Sequence, residues 1–105
     1  MSTLSTHVLD STYGIPAAGL VVALIGPDAE ELAVAATDAD GRVRFDLDLE
    51  AGGYGLYFDT GPWFAAAGRD TFFPGVSLAF VVSADEHYHV ALLLSPYSYT
   101  TYKGS

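Results

Sequence analysis

From Arg42 to Leu49 the chain alternates without a break. Val43, Phe45, Leu47 and Leu49 are apolar, and Arg42, Arg44, Asp46 and Asp48 are charged. A strict period of two predicts a strand with one face in a core. Short apolar runs parted by turn residues continue along most of the chain. LSTHVLD (Leu4 to Asp10), LVVALIG (Leu20 to Gly26), ELAVAAT (Glu31 to Thr37), YGLYFD (Tyr54 to Asp59), SLAFVVS (Ser77 to Ser83), HYHVALLLS (His87 to Ser95) and YSYTTY (Tyr97 to Tyr102) all read as strands. Gly14, Pro16 and Gly19 mark a loop after the first run, Glu50 to Gly53 another, and Asp38 to Gly41 a tight Asp-Gly turn. The period changes only in TGPWFAAAGRD. There Pro62 suits a first helical turn, the alanines favour helix, and Gly68 can end it. The pattern predicts eight strands and one short helix, an all-β antiparallel sandwich.

At 105 residues the chain is expected to form one domain, 1–105, with a core that needs no staples. Half of it is hydrophobic, which points to some apolar surface buried between subunits. Thirteen acidic residues against four basic ones give a net charge of −9. That excess argues against a nucleic-acid partner, which needs a basic face, and otherwise serves solubility. No apolar run reaches the roughly 18 residues that span a bilayer. The opening MSTLSTHVLD has neither a cationic start nor an apolar stretch, so no signal peptide is expected. Cysteine is absent, which fits a reducing compartment. The expected location is the cytoplasm.

With so few cations, each is informative. Arg42, Arg44, Arg69 and Lys103 are the candidates to hold an anionic ligand. Of the three histidines, His7 lies mid-strand on one side with Ser5 and Leu9, where the residue alone favours a histidine satisfied by hydrogen bonds in a sheet or at an interface over a catalytic one. His87 and His89 are two apart and share a face. Paired histidines permit a zinc site without specifying one, and no metal is expected. His87 stands at a loop edge beside Glu86, so His89 is the better catalytic candidate. The ending is distinctive. An aromatic, a cation, a glycine and a serine close the chain with no loose polar tail, which reads as a C-terminus folded into a site.

That ending, HYHVALLLSPYSYTTYKGS, resembles the C-terminal signature of the transthyretin-like 5-hydroxyisourate hydrolase family, whose chains typically finish in Tyr-Arg-Gly-Ser. The resemblance continues in THVLD (Thr6 to Asp10), GIPAAG (Gly14 to Gly19), TDADGR (Thr37 to Arg42) and FFPGV (Phe72 to Val76), in the same order and over nearly the whole chain. It implies two four-stranded sheets face to face, a helix between the fifth and sixth strands, and a homotetramer with sites at the interface between dimers. It also implies a small-molecule substrate, 5-hydroxyisourate, and no cofactor. The family's site residues fall on His7, Arg42, His89, Tyr102, Lys103, Gly104 and Ser105. Between Arg42 and Arg44 the residues alone do not choose; the family's arginine directly follows the Asp-Gly turn.

The implied chemistry is coherent. Water adds to a carbonyl of a flat, easily deprotonated ring and opens it. His7 and His89 handle the proton and the water, Arg42 holds the substrate anion, and Ser105 and the residues before it position the ring or the water. Lys103 stands where the family has arginine, keeping the charge but losing the planar fork. Ala91 stands where a proline is common. Two rivals remain: a non-catalytic transthyretin-like carrier of a small aromatic ligand, and a structural or adhesion sandwich.

Overall fold

The computed structural model describes residues 2–105. Nine strands and one helix follow one another as β1 (Ser2–Asp10), β2 (Ile15–Pro16), β3 (Val21–Ile25), β4 (Glu31–Ala36), β5 (Arg42–Leu49), β6 (Gly52–Phe58), α1 (Thr60–Ala66), β7 (Val76–Val82), β8 (His87–Ser95) and β9 (Ser98–Gly104). Eight strands were expected; the ninth, β2, is a two-residue bridge inside the first loop that pairs with Leu9 and Asp10. β6 opens at Gly52, ahead of its aromatic run, because Gly52 and Gly53 pair with Val82 and Val81.

Two sheets form the sandwich. One has the order β4-β3-β6-β7. In the other, β1 is flanked by β8 on one side and by β5 and β2 on the other, and β9 closes the free side of β8. Every pairing is antiparallel except β1 with β8. Those two strands lie far apart in sequence, so no hairpin forces them to oppose. The Asp38–Gly41 turn does not close a hairpin either; it carries the chain from β4 in one sheet to β5 in the other.

Between the sheets lie Leu4, Val8, Leu24, Phe58, Leu92 and Leu94, all fully buried, with Phe64 inserted from the helix. Each such side chain contributes roughly 1.5–3 kcal/mol on leaving water. β5 keeps its alternation with one exception, Leu47, which is 38% exposed. Its register against β1 breaks there: Leu4 faces Phe45, but Ser2 faces Leu49. Leu47 lies within that irregularity, so its side chain does not reach the core.

The helix ends as its sequence predicts. Gly68 takes φ +67°, its N–H bonds the carbonyl of Ala65, and the N–H of Arg69 bonds that of Phe64. This is the two-bond glycine termination of a helix. It turns Arg69 back onto β1, where Nη1 lies 2.6 Å from Oδ2 of the fully buried Asp10. Arg69, a candidate for an anionic ligand by charge alone, is therefore engaged inside the fold. Among the described residues no helix is long and apolar enough to cross a membrane.

Candidate active site

The outer face of the β1-containing sheet carries the polar cluster. Along β1, Ser2, Leu4, Thr6, Val8 and Asp10 are buried, so Thr3, Ser5 and His7 face outward. Strand register then sets the neighbours. His7 lies opposite Arg42 on β5 and Ala91 on β8, and Ala91 lies opposite Tyr102 on β9. One row over, Ser5 lies opposite Arg44 and His89, and His89 opposite Gly104. Adjacent strands stand roughly 4.8 Å apart, so side chains remote in sequence meet across one surface.

Each residue is held by a local cause. Arg42 is placed by the turn before it. Asp38 Oδ1 accepts the N–H groups of Asp40 and Arg42 at 2.9 and 3.0 Å, and the Gly41 N–H bonds the Asp38 carbonyl. Gly41 takes φ +75°, and a Cβ there would collide with the Val8 carbonyl oxygen. Only glycine lets the turn press against β1, and that contact sets Arg42 beside His7.

The rings of His7 and His89 lie 6.4 Å apart, centre to centre, tilted by 42°. His89 is half-buried, and its Nδ1 lies 2.7 Å from Ser5 Oγ, so Nε2 is its remaining ring nitrogen. Burial pushes the His89 pKa below its ordinary value of 6.5, and the charge of Arg42 and the neighbouring His7 and His87 push it the same way. His89 is thus a neutral imidazole at neutral pH, able to accept a proton. Gly104 makes room for it: a Cβ there would stand 2.5 Å from His89 Cδ2. The glycine of the terminal tetrapeptide is the floor on which the histidine ring lies.

The structure thus brings His7, Arg42, His89, Tyr102 and Gly104 to one face. Ser105 follows at the exposed end of β9. Lys103 does not join them within the subunit. Alternation turns it the other way, where Nζ lies 2.9 Å from Glu86 Oε1 and 5.3 Å from the centre of the Tyr88 ring. Ser5 and Thr3 share the face without having been singled out as site residues, and so does Arg44, a candidate by charge alone. Ser5 was visible as a neighbour of His7, but its contact with the β8 histidines needs the register of two distant strands. His7 and His87 lie to either side of His89, and among the described residues no three His, Cys, Asp or Glu side chains group tightly enough to hold a metal ion.

A groove of about 570 Å³ opens beside the cluster, between β7 and the β8–β9 hairpin, with Phe80, Tyr88, His89, Tyr102 and Lys103 among its lining residues. β7 and β9 are the outermost strands of their sheets on that side.

Known proteins share this framework. The sequence profile of the HIUase/Transthyretin family matches residues 4–104. The 5-hydroxyisourate hydrolase of Caulobacter vibrioides is 47% identical, with all of both chains aligned. The solved structure of Klebsiella pneumoniae 5-hydroxyisourate hydrolase superposes with a TM-score of 0.92 at 44% identity, covering 100% of this chain and 94% of that one. Sea bream transthyretin in complex with thyroxine superposes with a TM-score of 0.87 at 30% identity, covering 96% of this chain and 93% of that one. With the profile matched almost end to end and identity above two-fifths over the full length, this chain belongs to the HIUase/Transthyretin family.

Proposed function

We propose that the protein hydrolyses 5-hydroxyisourate to 2-oxo-4-hydroxy-4-carboxy-5-ureidoimidazoline, a step of urate breakdown. The observation that carries this reading is His89, its pKa held below the ordinary value by burial and Arg42, beside His7 and Arg42 on one face and held there by Ser5 and Gly104. Its relatives' names support the substrate. His89 Nε2 takes a proton from water as the oxygen attacks a ring carbonyl. The Arg42 guanidinium binds the deprotonated ring and offsets charge that develops on the carbonyl oxygen. His7 orients the water from the next strand. Tyr102, Gly104 and the Ser105 hydroxyl close the end of the site. Lys103 reaches substrate only if its contact with Glu86 opens.

The same proposal includes a homotetramer whose sites lie between dimers. Tyr102 at 55% and Val81 at 68% exposure, on the edge strands β9 and β7, supply apolar surface for such contacts. A cytoplasmic location belongs to it too, and the cysteine-free composition is compatible with that.

The test is an ultraviolet assay. 5-Hydroxyisourate is generated from urate by urate oxidase, this protein is added, and the intermediate's absorbance is followed with and without a chelator. Decay well above the spontaneous rate, indifferent to chelator, is expected. Decay at the spontaneous rate by a folded protein would favour the carrier that the likeness to thyroxine-bound transthyretin suggests. In the same assay Gly104→Ala should lose about 10- to 100-fold in turnover, because the new methyl displaces the His89 ring. Its thermal melt should stay near wild type, since an extended strand accepts alanine.

A further inference from the structure

Four side chains on the outer face form one continuous hydrogen-bonded chain. Thr3 Oγ1 lies 2.6 Å from His87 Nδ1, His87 Nε2 lies 2.8 Å from Ser5 Oγ, and Ser5 Oγ lies 2.7 Å from His89 Nδ1. The parallel register of β1 and β8 produces it, setting Thr3 opposite His87 and Ser5 opposite His89. Ser5 is therefore one hydroxyl shared between two imidazoles. It carries a single proton and can donate to only one ring, so the other ring must donate to it. The tautomers of the two histidines are coupled through this oxygen. At the inner end His89 is half-buried, and at the outer end His87 is exposed.

We propose that Ser5 and His87 serve the hydrolytic site as positioning residue and proton relay: Ser5 holds His89 with Nε2 free, and passes the proton taken from water on to His87. This rests on the hydrolase reading above. In the resting arrangement His89 donates its Nδ1 proton to Ser5 Oγ, the Ser5 hydroxyl donates to His87 Nε2, and His87 donates its Nδ1 proton to Thr3 Oγ1. When His89 Nε2 takes a proton from the attacking water, the Nδ1 proton shifts to Ser5, and the serine's own proton shifts to His87 Nε2. A C–O bond forms, the carbonyl π electrons move to its oxygen, and the positive charge rests on His87. When the oxyanion collapses, the ring C–N bond breaks. The proton then returns through Ser5 and His89 Nε2 to the departing nitrogen.

The surrounding charges favour that direction. Arg42 and His7 oppose an imidazolium at His89, and Arg44 stands opposite Ser5 on β5. A charge is better solvated at the exposed His87 end than at the half-buried His89 end.

The experiment compares Ser5→Ala, Ser5→Thr and His87→Gln in the full-length protein. Ser5→Ala should lower kcat about 10- to 100-fold with KM nearly unchanged, the range typical of losing a partner that orients a functional imidazole. Ser5→Thr, which keeps a hydroxyl, should recover most of that rate. His87→Gln retains hydrogen bonding but cannot carry a proton. Its kcat should fall about tenfold in dilute buffer and rise again with added imidazole. Wild-type rates for His87→Gln in dilute buffer, or equal losses for both Ser5 variants, would overturn the relay. Nitrogen-15 NMR decides the positioning separately from any activity. His89 should carry its proton on Nδ1 in the wild type and shift toward the Nε2 form in Ser5→Ala. An Nε2–H His89 in the wild type sinks the idea whether or not the protein is a hydrolase, whereas an Nδ1–H His89 in a protein with no hydrolysis would overturn only the relay and the reading beneath it.

Discussion

Replacing His89 by alanine should lower turnover by about 10²–10⁴, the usual loss when a positioned acid–base group is removed, and leave the fold intact. The ring lies on the outer face of the sheet against Gly104, outside the buried core, so its removal opens no interior cavity. A thermal melt close to wild type beside a collapsed kcat would separate chemistry from stability. The pH profile sharpens the assignment. Burial, then Arg42, His7 and His87, hold the His89 pKa below 6.5. The base form therefore persists into mildly acidic solution, and kcat/KM should stay level until the pH falls below 6.5. Removing the Arg42 charge lifts one of those restraints. In Arg42→Ala the acid limb should move upward, toward neutral pH, on top of the loss from weaker substrate binding. An acid limb that stays put in Arg42→Ala, or full activity in His89→Ala, would remove His89 from the role of base.

The elements were legible in the sequence because each is a local pattern. The alternation of Arg42–Leu49, the run His87–Ser95 and the Gly68 helix stop all appear where period and turn chemistry put them. His7, Arg42 and His89 could be chosen because the resemblance to a family marked them, and the structure brings them to one surface. What could not be read was register. Nothing local to LSTHVLD says that it runs parallel to a strand some eighty residues away, so the Ser5 bridge to His87 and His89 was out of reach. Side-chain direction at the C-terminus was hidden for a related reason. Lys103 and Gly104 are adjacent in sequence, yet alternation sends one to Glu86 and sets the other beneath His89. Leu47 misled for the opposite reason. The pattern was regular, but its pairing with β1 was not. Arg69 looked available because charge counting does not see a partner 59 residues away.

That partner gives the second large expected effect. Arg69→Ala should destabilise the fold by roughly 3–5 kcal/mol, the range for breaking a buried ion pair from one side. Asp10 has only 1% of its side chain exposed, and Arg69 15%. Without the guanidinium, the carboxylate keeps the N–H groups of Thr12 and Tyr13 as its partners. Stacking of Arg69 over Tyr13 and Phe64, at 4.4 and 4.9 Å, is lost as well. Burial alone would raise the Asp10 pKa, but the Arg69 hydrogen bond, the Tyr13 N–H, the Arg69 charge and the Thr12 N–H together bring it below 3.8. A depressed carboxylate stabilises the fold above its unfolded pKa, and that contribution is lost as pH falls through the lower, folded value. In Arg69→Ala the depression is removed, and a buried, poorly compensated anion prefers to be protonated. The deficit relative to wild type should therefore be largest at neutral pH and shrink as the solution is acidified toward the carboxylate range. Urea melts of both proteins at neutral pH and near pH 4 measure it. Changing both partners, Asp10→Asn with Arg69→Met, should cost less at neutral pH than Arg69→Ala alone, because no charge is then left buried. A deficit that does not change with pH, and a double variant no better than the single, would mean that Arg69 stabilises through its stacking and not through its charge.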